Sequence, residues 1–271
     1  MLFFLAALKY NIRNFFFFLC FAVIFAVSCV QASSNSTANT STIPANQDRL
    51  NQLMSATVGF VIEDNGKVNS VPYCTGFFVN NDVIATAAHC FLSSVNIEIN
   101  GREHRIRSSE DIVSQKVNFI FKREYDSSVR LSDIDAHFGT IIAVDLEHDL
   151  VLVISHERST NFIRLASQPP GIGEKVYAIG HPRGLGWTFS EGIVSRSLIQ
   201  NGHIMIIQAT TLLSGGCSGG PLLNAHGEVI AVADAFINNL PHLGIFIGNH
   251  YIKEMLNAQA RRSVPDAGRN F

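Results

Sequence analysis

From residue 55 onward, short apolar or alternating stretches follow one another at regular intervals, separated by turn signals. Asp64-Asn65-Gly66 and Asn80-Asn81-Asp82 are typical of turns, because Asn and Gly tolerate left-handed backbone angles. Strands at this spacing predict an all-β sandwich or a pair of β-barrels. The predicted strands are 57–63, 76–79, 83–88, 95–99, 148–155, 175–180, 190–197, 203–210 and 228–233.

The pattern changes near the C-terminus, where a helix is predicted over 251–262. Ile252, Met255 and Leu256 fall on one face of that helix, and Asn249 is placed to cap its start. Helical signals are scarce elsewhere, so the predicted fold class stays all-β.

The first 32 residues have the composition of an export signal. Lys9 and Arg13 precede a run without charged or strongly polar residues from Phe15 to Val27, as in a signal peptide. Three outcomes are open: cleavage after Ala32, acylation of Cys29 as in a lipoprotein, or an uncleaved membrane anchor. The chain is therefore predicted to be exported, to the periplasm or outside the cell, with membrane contact only in the second and third cases.

After this signal, the composition predicts three segments: a linker, a folded domain and a tail. Residues 33–48 are rich in Ser, Thr, Asn and Ala and offer no apolar face, which predicts a flexible linker. One folded domain is expected over 49–262, followed by a loose tail over 263–271. The chain has 20 basic and 22 acidic residues and a net charge of −2, so there is no electrostatic case for nucleic-acid binding.

Three cysteines follow the signal, Cys74, Cys90 and Cys217. Export into an oxidising compartment favours disulfides, but three cysteines form at most one, so one thiol stays free. No Cys or His near Cys217 in the sequence has metal-ligand spacing, so neither a metal nor another cofactor is predicted.

Ser218 lies in a run of glycines over 215–220 that Pro221 closes. Glycine lets the backbone turn sharply and approach a ligand closely. A serine in such a run can expose its hydroxyl beside converging backbone N–H groups, which is what a nucleophile with an oxyanion site needs. The alternative interpretation is a flexible glycine loop with an incidental serine.

A serine nucleophile needs a histidine base, and the histidine needs a partner that fixes its tautomer. His89 ends the apolar strand 83–88, where it is either this base or a core histidine bonded to the backbone. Asp149 precedes the apolar stretch 150–154, so its carboxylate is partly buried and needs hydrogen-bond donors. The competing carboxylates lie in polar, turn or loop contexts and are Asp133, Asp135 and Asp145.

Three motifs around these residues carry a resemblance to a known family: TAAHC at 86–90, HDLVLV at 148–153 and GCSGGP at 216–221. In the order His, Asp, Ser they resemble the trypsin-like serine proteases of the chymotrypsin fold. The resemblance implies two six-stranded β-barrels, at about 55–155 and 165–248, with a short C-terminal helix.

Further stretches resemble the bacterial HtrA/Deg-type subgroup, namely 178–186, 190–195, 227–230 and 244–247. Members of that subgroup usually carry PDZ domains after the protease, and the 271-residue chain leaves no room for one, so a protease domain without PDZ domains is expected. Cys217 also replaces the Asn or Asp that usually precedes the serine. The resemblance to secreted trypsin-like enzymes implies a Cys74–Cys90 disulfide.

The resemblance also implies the chemistry. Ser218 would be the nucleophile, His89 the general base and then acid, and Asp149 the residue that orients His89. The N–H groups of Gly216 and Ser218 would form the oxyanion hole. The expected activity is that of an exported serine endopeptidase that passes through an acyl-enzyme intermediate and acts on proteins or peptides.

The substrate pocket is expected near Leu212, with Val232, Ala233 and Asp234 on the strand beside it. Leu212 at the pocket floor predicts apolar or small side chains at P1, the residue before the cleaved bond. Whether Asp234 faces the pocket or solvent is open, and so is a homo-oligomeric state.

Two other functions are compatible with the same motifs. One is a catalytically inactive pseudoprotease that serves as a binding or scaffold protein, for which Cys217 beside the serine gives some reason. The other is an acyl hydrolase that turns over esters and not peptides.

Overall fold

The computed structural model describes residues 46–64, 67–92, 95–99, 102–106, 112–127, 134–237 and 240–263. The predicted export signal, most of the predicted linker and the residues from 264 onward lie outside these ranges. Within them, no helix combines the length and the apolar character needed to cross a membrane.

The N-terminal half forms a closed antiparallel barrel with the strand order β1-β2-β3-β8-β7-β6. A separate two-stranded sheet, β4-β5, is inserted after β3. The strands are β1 (Thr57–Asp64), β2 (Lys67–Phe78), β3 (Val83–Ala87), β4 (Val95–Ile99), β5 (Arg102–Ile106), β6 (Lys116–Phe121), β7 (His137–Asp145) and β8 (Leu150–Ser155).

The C-terminal half forms a second closed barrel with the order β10-β11-β14-β13-β12-β9. Its strands are β9 (Lys175–Gly180), β10 (Thr188–Gln200), β11 (His203–Ala209), β12 (Pro221–Leu223), β13 (Val229–Ile237) and β14 (Leu240–Gly248). The predicted fold class, two six-stranded barrels with a short C-terminal helix, is confirmed.

Apolar side chains fill each barrel and the space between the barrels. Phe60, Phe78 and Phe119 are fully buried inside the first barrel. A second cluster joins the two barrels, with Leu152 from β8 packing in the same group as Tyr177 and Val232 from the C-terminal barrel. Each fully buried side chain of this size stabilises the fold by roughly 1.5–3 kcal/mol, so the clusters hold the two barrels against each other.

Three helices lie in the described ranges: α1 (Gln47–Ser55), α2 (Lys122–Ser127) and α3 (His250–Ser263). Helix α1 begins inside the predicted linker, because the Asn46 side chain accepts a hydrogen bond from the N–H of Arg49 (2.9 Å) and caps it. Leu53 of α1 is buried against the inter-barrel cluster. The flexible linker therefore cannot extend to residue 48.

Helix α3 matches the predicted C-terminal helix to within one residue at each end. Asn249, predicted as its cap, has a different role. Its side-chain amide donates hydrogen bonds to the carbonyls of Ala166 (2.9 Å) and Val229 (2.6 Å). Asn249 thus ties the start of α3 to the second barrel.

Candidate active site

His89 lies in a single 3₁₀ turn, Ala88–Cys90, that directly follows the fully buried strand β3. Strand β3 pairs antiparallel with β8, and Ala87 at the end of β3 lies opposite Leu150 at the start of β8. Asp149, just before Leu150, and His89, two residues after Ala87, therefore lie at the same edge of the barrel. This pairing brings His89 beside Asp149.

Asp149 holds both the backbone and the ring of His89. The N–H of His89 donates to Asp149 Oδ1 (2.8 Å), and the ring Nδ1 is hydrogen-bonded to Asp149 Oδ2. The N–H of Ala88 donates to the backbone carbonyl of Asp149 (2.9 Å). A carboxylate only accepts hydrogen bonds, so Nδ1 carries the hydrogen and Nε2 is left as the basic nitrogen.

The backbone and the charge of Asp149 are both set by its surroundings. Its φ of 54° lies in the left-handed region, which Asp tolerates better than most residues. Burial raises its pKa, but the hydrogen bond and charge of His89 and a hydrogen bond with Asp234 lower the pKa further, so the net shift is downward. Asp149 is therefore ionised near neutral pH.

The other candidate carboxylates are not at this position. Asp145 Oδ2 pairs with His148 Nδ1 at 2.8 Å, and Asp145 Oδ1 accepts from the N–H groups of Glu147 and His148 (3.1 Å each). Asp135 is exposed in a loop, and Asp133 lies outside the described residues.

Ser218 lies in a loop that only glycine can build on either side. Gly219 has a φ of +82°, and a Cβ there would come within 2.1 Å of Thr86 Oγ1. Gly216 has a φ of +97°, and a Cβ there would come within 2.1 Å of the His181 carbonyl oxygen. Such contacts are far too short, so any other residue would displace the loop.

Both barrels hold the serine loop by backbone hydrogen bonds. Thr75 N–H of the first barrel donates to the Ser218 carbonyl (2.8 Å), and Gly219 N–H donates to the Ala233 carbonyl of the second barrel (2.7 Å). Cys90, the residue after His89, has its Sγ 3.9 Å from the Ser218 carbonyl oxygen. The loop therefore lies against the His89 turn, in the cleft between the barrels.

Three N–H groups of this loop, those of Gly215, Gly216 and Ser218, donate to no acceptor among the described residues. The peptide planes around them are fixed, because Arg183 N–H donates to the Gly215 carbonyl (2.7 Å) and Thr75 Oγ1 donates to the Gly216 carbonyl (2.7 Å). Preorganised donors of this kind can receive a developing oxyanion. Ser218 Oγ makes no hydrogen bond to His89 within the described part of the chain, as is common before substrate binds.

Comparison with known families agrees with this geometry. The model of the trypsin-like peptidase domain matches residues 74–232, which include His89, Asp149 and Ser218. The chain belongs to the trypsin-like peptidase family.

Relatives with curated names point to the same subgroup as the sequence motifs. A probable periplasmic serine endoprotease DegP-like from Buchnera aphidicola is 25% identical over 248 residues, 81% of this chain and 51% of that protein. A protein of the same name from Ectopseudomonas mendocina is 35% identical over 108 residues, 38% of this chain and 23% of that protein. The resemblance to HtrA/Deg-type proteases is confirmed. The chain spans about half the length of the first relative and less than a quarter of the second.

Solved structures agree on the fold. A serine endoprotease from Yersinia pestis matches with a TM-score of 0.57 and 17% identity, over 84% of this chain and 68% of that chain. A protease from M. tuberculosis in its active form matches with a TM-score of 0.57 and 15% identity, over 84% of this chain and 92% of that chain.

The peptidase domain has a small apolar cleft beside the serine loop, and the structure brings only part of the predicted pocket to it. Leu212 lines the cleft but is 49% exposed, at its lip and not its floor. Ala233 also lines it, whereas Val232 points to the other face of β13 and is buried between the barrels. Asp234 turns toward His89. Other residues around the cleft are Ala178, Ile179, Gly180, Pro182, Thr188, Ser190, Leu213, Cys217 and Pro221.

His181 supports the serine loop of this peptidase through Thr75, a contact that the sequence motif at 178–186 did not reveal. Its ring is fully buried, 4.4 Å edge-on from Trp187, with Nδ1 2.7 Å from Thr75 Oγ1. Thr75 gives its one hydroxyl hydrogen to the Gly216 carbonyl, so His181 Nδ1 must donate to Thr75. Burial lowers the pKa of His181 from 6.5 to about 3, so the ring stays neutral.

His181 makes the folded peptidase sensitive to acid. The unfolded chain binds a proton at this ring below pH 6.5, whereas the folded chain does so only near pH 3, so stability falls as the pH falls between these values. We expect His181 to remove about 2 kcal/mol of unfolding free energy between pH 7 and pH 5. Urea unfolding of the Ser218→Ala protein at both pH values measures this loss, and the His181→Gln variant should lack it. His226→Gln, at an exposed site, should keep it. Equal losses in all three proteins would contradict the assignment.

The cysteines divide as the resemblance implied. Cys74 and Cys90 form a disulfide, which ties β2 to the turn that carries His89. Cys217 is a free and buried thiol, and burial raises its pKa. It packs against the backbone of Gly180, where a Cβ would come within 3.1 Å of Cys217 atoms. Cys217 therefore serves as a small apolar residue beneath the serine loop.

Proposed function

We propose that this chain is an exported serine endopeptidase in which Ser218, His89 and Asp149 form the catalytic triad. The observation that carries the proposal is the Asp149–His89 pair beside a glycine loop whose Gly216 and Ser218 N–H groups have no acceptor among the described residues. Membership of the trypsin-like peptidase family and the names of the relatives support it.

In the proposed mechanism, Ser218 Oγ attacks the carbonyl carbon of the peptide bond while His89 Nε2 takes its proton. Asp149 stabilises the imidazolium that forms, and the N–H groups of Gly216 and Ser218 bind the oxyanion, each worth roughly 2.7–4 kcal/mol in the transition state. His89 then protonates the leaving amine, which leaves an acyl-enzyme. Water attacks this ester with His89 again as the base, and Ser218 is restored.

The cleft favours apolar or small P1 residues. Its walls carry Leu212, Leu213 and Ala233, and no charged side chain lines it within the described residues. A basic P1 side chain would therefore lose its hydration without gaining a carboxylate partner. We infer that the substrates are exported proteins or peptides, because the relatives are named as periplasmic endoproteases.

The test is covalent labelling of the full chain with a fluorophosphonate, followed by mass spectrometry of its peptides. The label should map to Ser218, and protein that is denatured before the reagent is added should take none, because an unfolded serine is not activated. A folded protein that takes no label would contradict the proposal and favour the pseudoprotease. The substrate range of the unlabelled enzyme is then measured with a peptide library, and turnover of esters without any peptide cleavage would favour the acyl hydrolase.

A further inference from the structure

A second carboxyl group lies beside the His89–Asp149 pair, and the proposed mechanism does not use it. Asp234 Oδ1 is 4.0 Å from His89 Nδ1. One ring nitrogen of His89 and one carboxyl oxygen each of Asp149 and Asp234 lie within 4.8 Å of one another. The Asp234 side chain is 28% exposed, so it is largely withdrawn from water. Two carboxyl groups at this separation cannot both ionise without repulsion.

A local irregularity of strand β13 directs Asp234 to this position. Ala233 pairs with Phe246 and Ala235 pairs with Ile245, so Asp234 has no opposite residue on β14 and forms a β-bulge. Bulges redirect side chains and are frequent next to active sites. Hydrogen bonds between Ala233 and both Gly219 and Gly220 fix the residue before the bulge to the serine loop.

A carboxyl oxygen of Asp149 and one of Asp234 lie within 4.8 Å of each other, and a hydrogen bond between the two groups helps to lower the pKa of Asp149. A carboxylate has no hydrogen to donate, so one of the two groups must carry a proton. Asp149 already accepts from the N–H and the ring of His89 and is the group whose pKa is lowered, despite its burial. The proton therefore resides on Asp234.

We propose that Asp234 is a positioning residue: as a neutral acid it donates a hydrogen bond to Asp149, and loss of its proton as the pH rises breaks that support of His89. While the proton is present, Asp149 has donors on both sides and is held against His89. When the proton is lost, two adjacent carboxylates repel each other and the orientation of His89 is no longer fixed. The pair then titrates as a unit.

Few other ionisable groups can account for such a transition. Asp149 and Asp234 are the charged groups within ion-pair distance of His89 in the described residues. On the turn before β8, Asp145 and His148 pair with each other. The disulfide of Cys74 and Cys90 does not titrate, and burial raises the pKa of the Tyr73 hydroxyl to about 12. The other nearby groups are the buried thiol of Cys217 and the guanidinium of Arg183, which lies in the turn beside the serine loop.

The kinetic test rests on the proposed peptidase function and compares pH profiles of kcat/KM between pH 5 and pH 10 with EDTA present. The Asp234→Asn variant keeps a donor that cannot ionise, so its rate should stay within about threefold of wild type near neutral pH, while the fall in rate at higher pH disappears. Asp234→Ala has no donor at any pH and should lose about tenfold throughout. Asp145→Asn is the matched control and should keep the wild-type profile. Superimposable profiles for wild type and Asp234→Asn would overturn the inference.

A second measurement does not depend on catalysis. In the Ser218→Ala protein, the His89 Hε1 resonance is followed by NMR from pH 5 to pH 10 and assigned by its absence from a His89→Gln variant. The inference expects a step in this resonance on loss of the Asp234 proton, and Asp234→Asn removes it. If no such step occurs, the inference fails even when the enzyme is active. If the step occurs in a protein without peptidase activity, only the proposed function fails.

Discussion

Replacing Ser218 with alanine is expected to lower kcat by about 10⁵- to 10⁶-fold and to leave the fold unchanged. The hydroxyl is the proposed nucleophile, and the members of a triad act as a unit, so the loss of one removes most of the catalysis. The contacts that hold the loop use the backbone of Ser218, through its carbonyl and Thr75 N–H, and alanine keeps them. Cleavage of a fluorogenic peptide with a small apolar P1 residue measures the rate, and thermal unfolding measures the fold.

The matched control is Ser167→Ala, at an exposed position in the loop before β9. It should retain the full rate. A Ser218→Ala protein that unfolds normally and still cleaves the peptide within about tenfold of wild type would exclude Ser218 as the nucleophile.

Asp149→Asn should lower kcat by roughly 10⁴-fold, which is the second largest effect. Asparagine has nearly the same shape and tolerates the φ of 54° at this position. Its amide, however, offers a donor to His89 Nδ1, which in the wild-type protein donates to Asp149. Nδ1 must then accept, so the hydrogen of the ring moves to Nε2. The base then has no lone pair toward Ser218. The peptide assay measures the loss, and the rate should recover in part at high pH, where the serine is less dependent on a base.

Asp145→Asn tests whether the choice between the two neighbouring carboxylates is right. Asp145 accepts from Glu147 and His148 in the same turn and does not touch His89. Its loss should destabilise the turn slightly and change kcat by less than about threefold. A larger fall in kcat for Asp145→Asn than for Asp149→Asn would reverse the assignment.

The fold was predictable where strands are short, apolar and bounded by turn residues. Strands β3, β8 and β9 fit this description and were predicted nearly as they occur. Strands β6 and β7 were missed, because Lys116–Phe121 and His137–Asp145 mix polar and apolar residues without a clear turn between them. Helix α1 was missed because its sequence, QDRLNQLMS, is mostly polar and depends on the Asn46 cap and on burial of Leu53.

The candidate site, like the fold, was predictable where a local sequence pattern marks the residue. His89, Asp149 and Ser218 each follow or precede a recognisable local pattern, and the structure brings His89 and Asp149 into direct contact beside the serine loop. The pocket was only partly predictable. Val232 and Asp234 lie next to Ala233 in sequence, yet one is buried between the barrels and the other faces His89, because strand alternation and a bulge separate them.

The sequence by itself determined the set of proposed reactive groups and their order along the chain, since each is marked by its own neighbours: an apolar strand before His89, another after Asp149, and glycines around Ser218. The tertiary structure decided which further groups touch them. Thr75, which is itself hydrogen-bonded to His181, reaches the Gly216 carbonyl, and Asp234 reaches Asp149, across the cleft between two barrels. Contacts between residues so far apart in the chain depend on strand register and barrel closure, which no local pattern encodes.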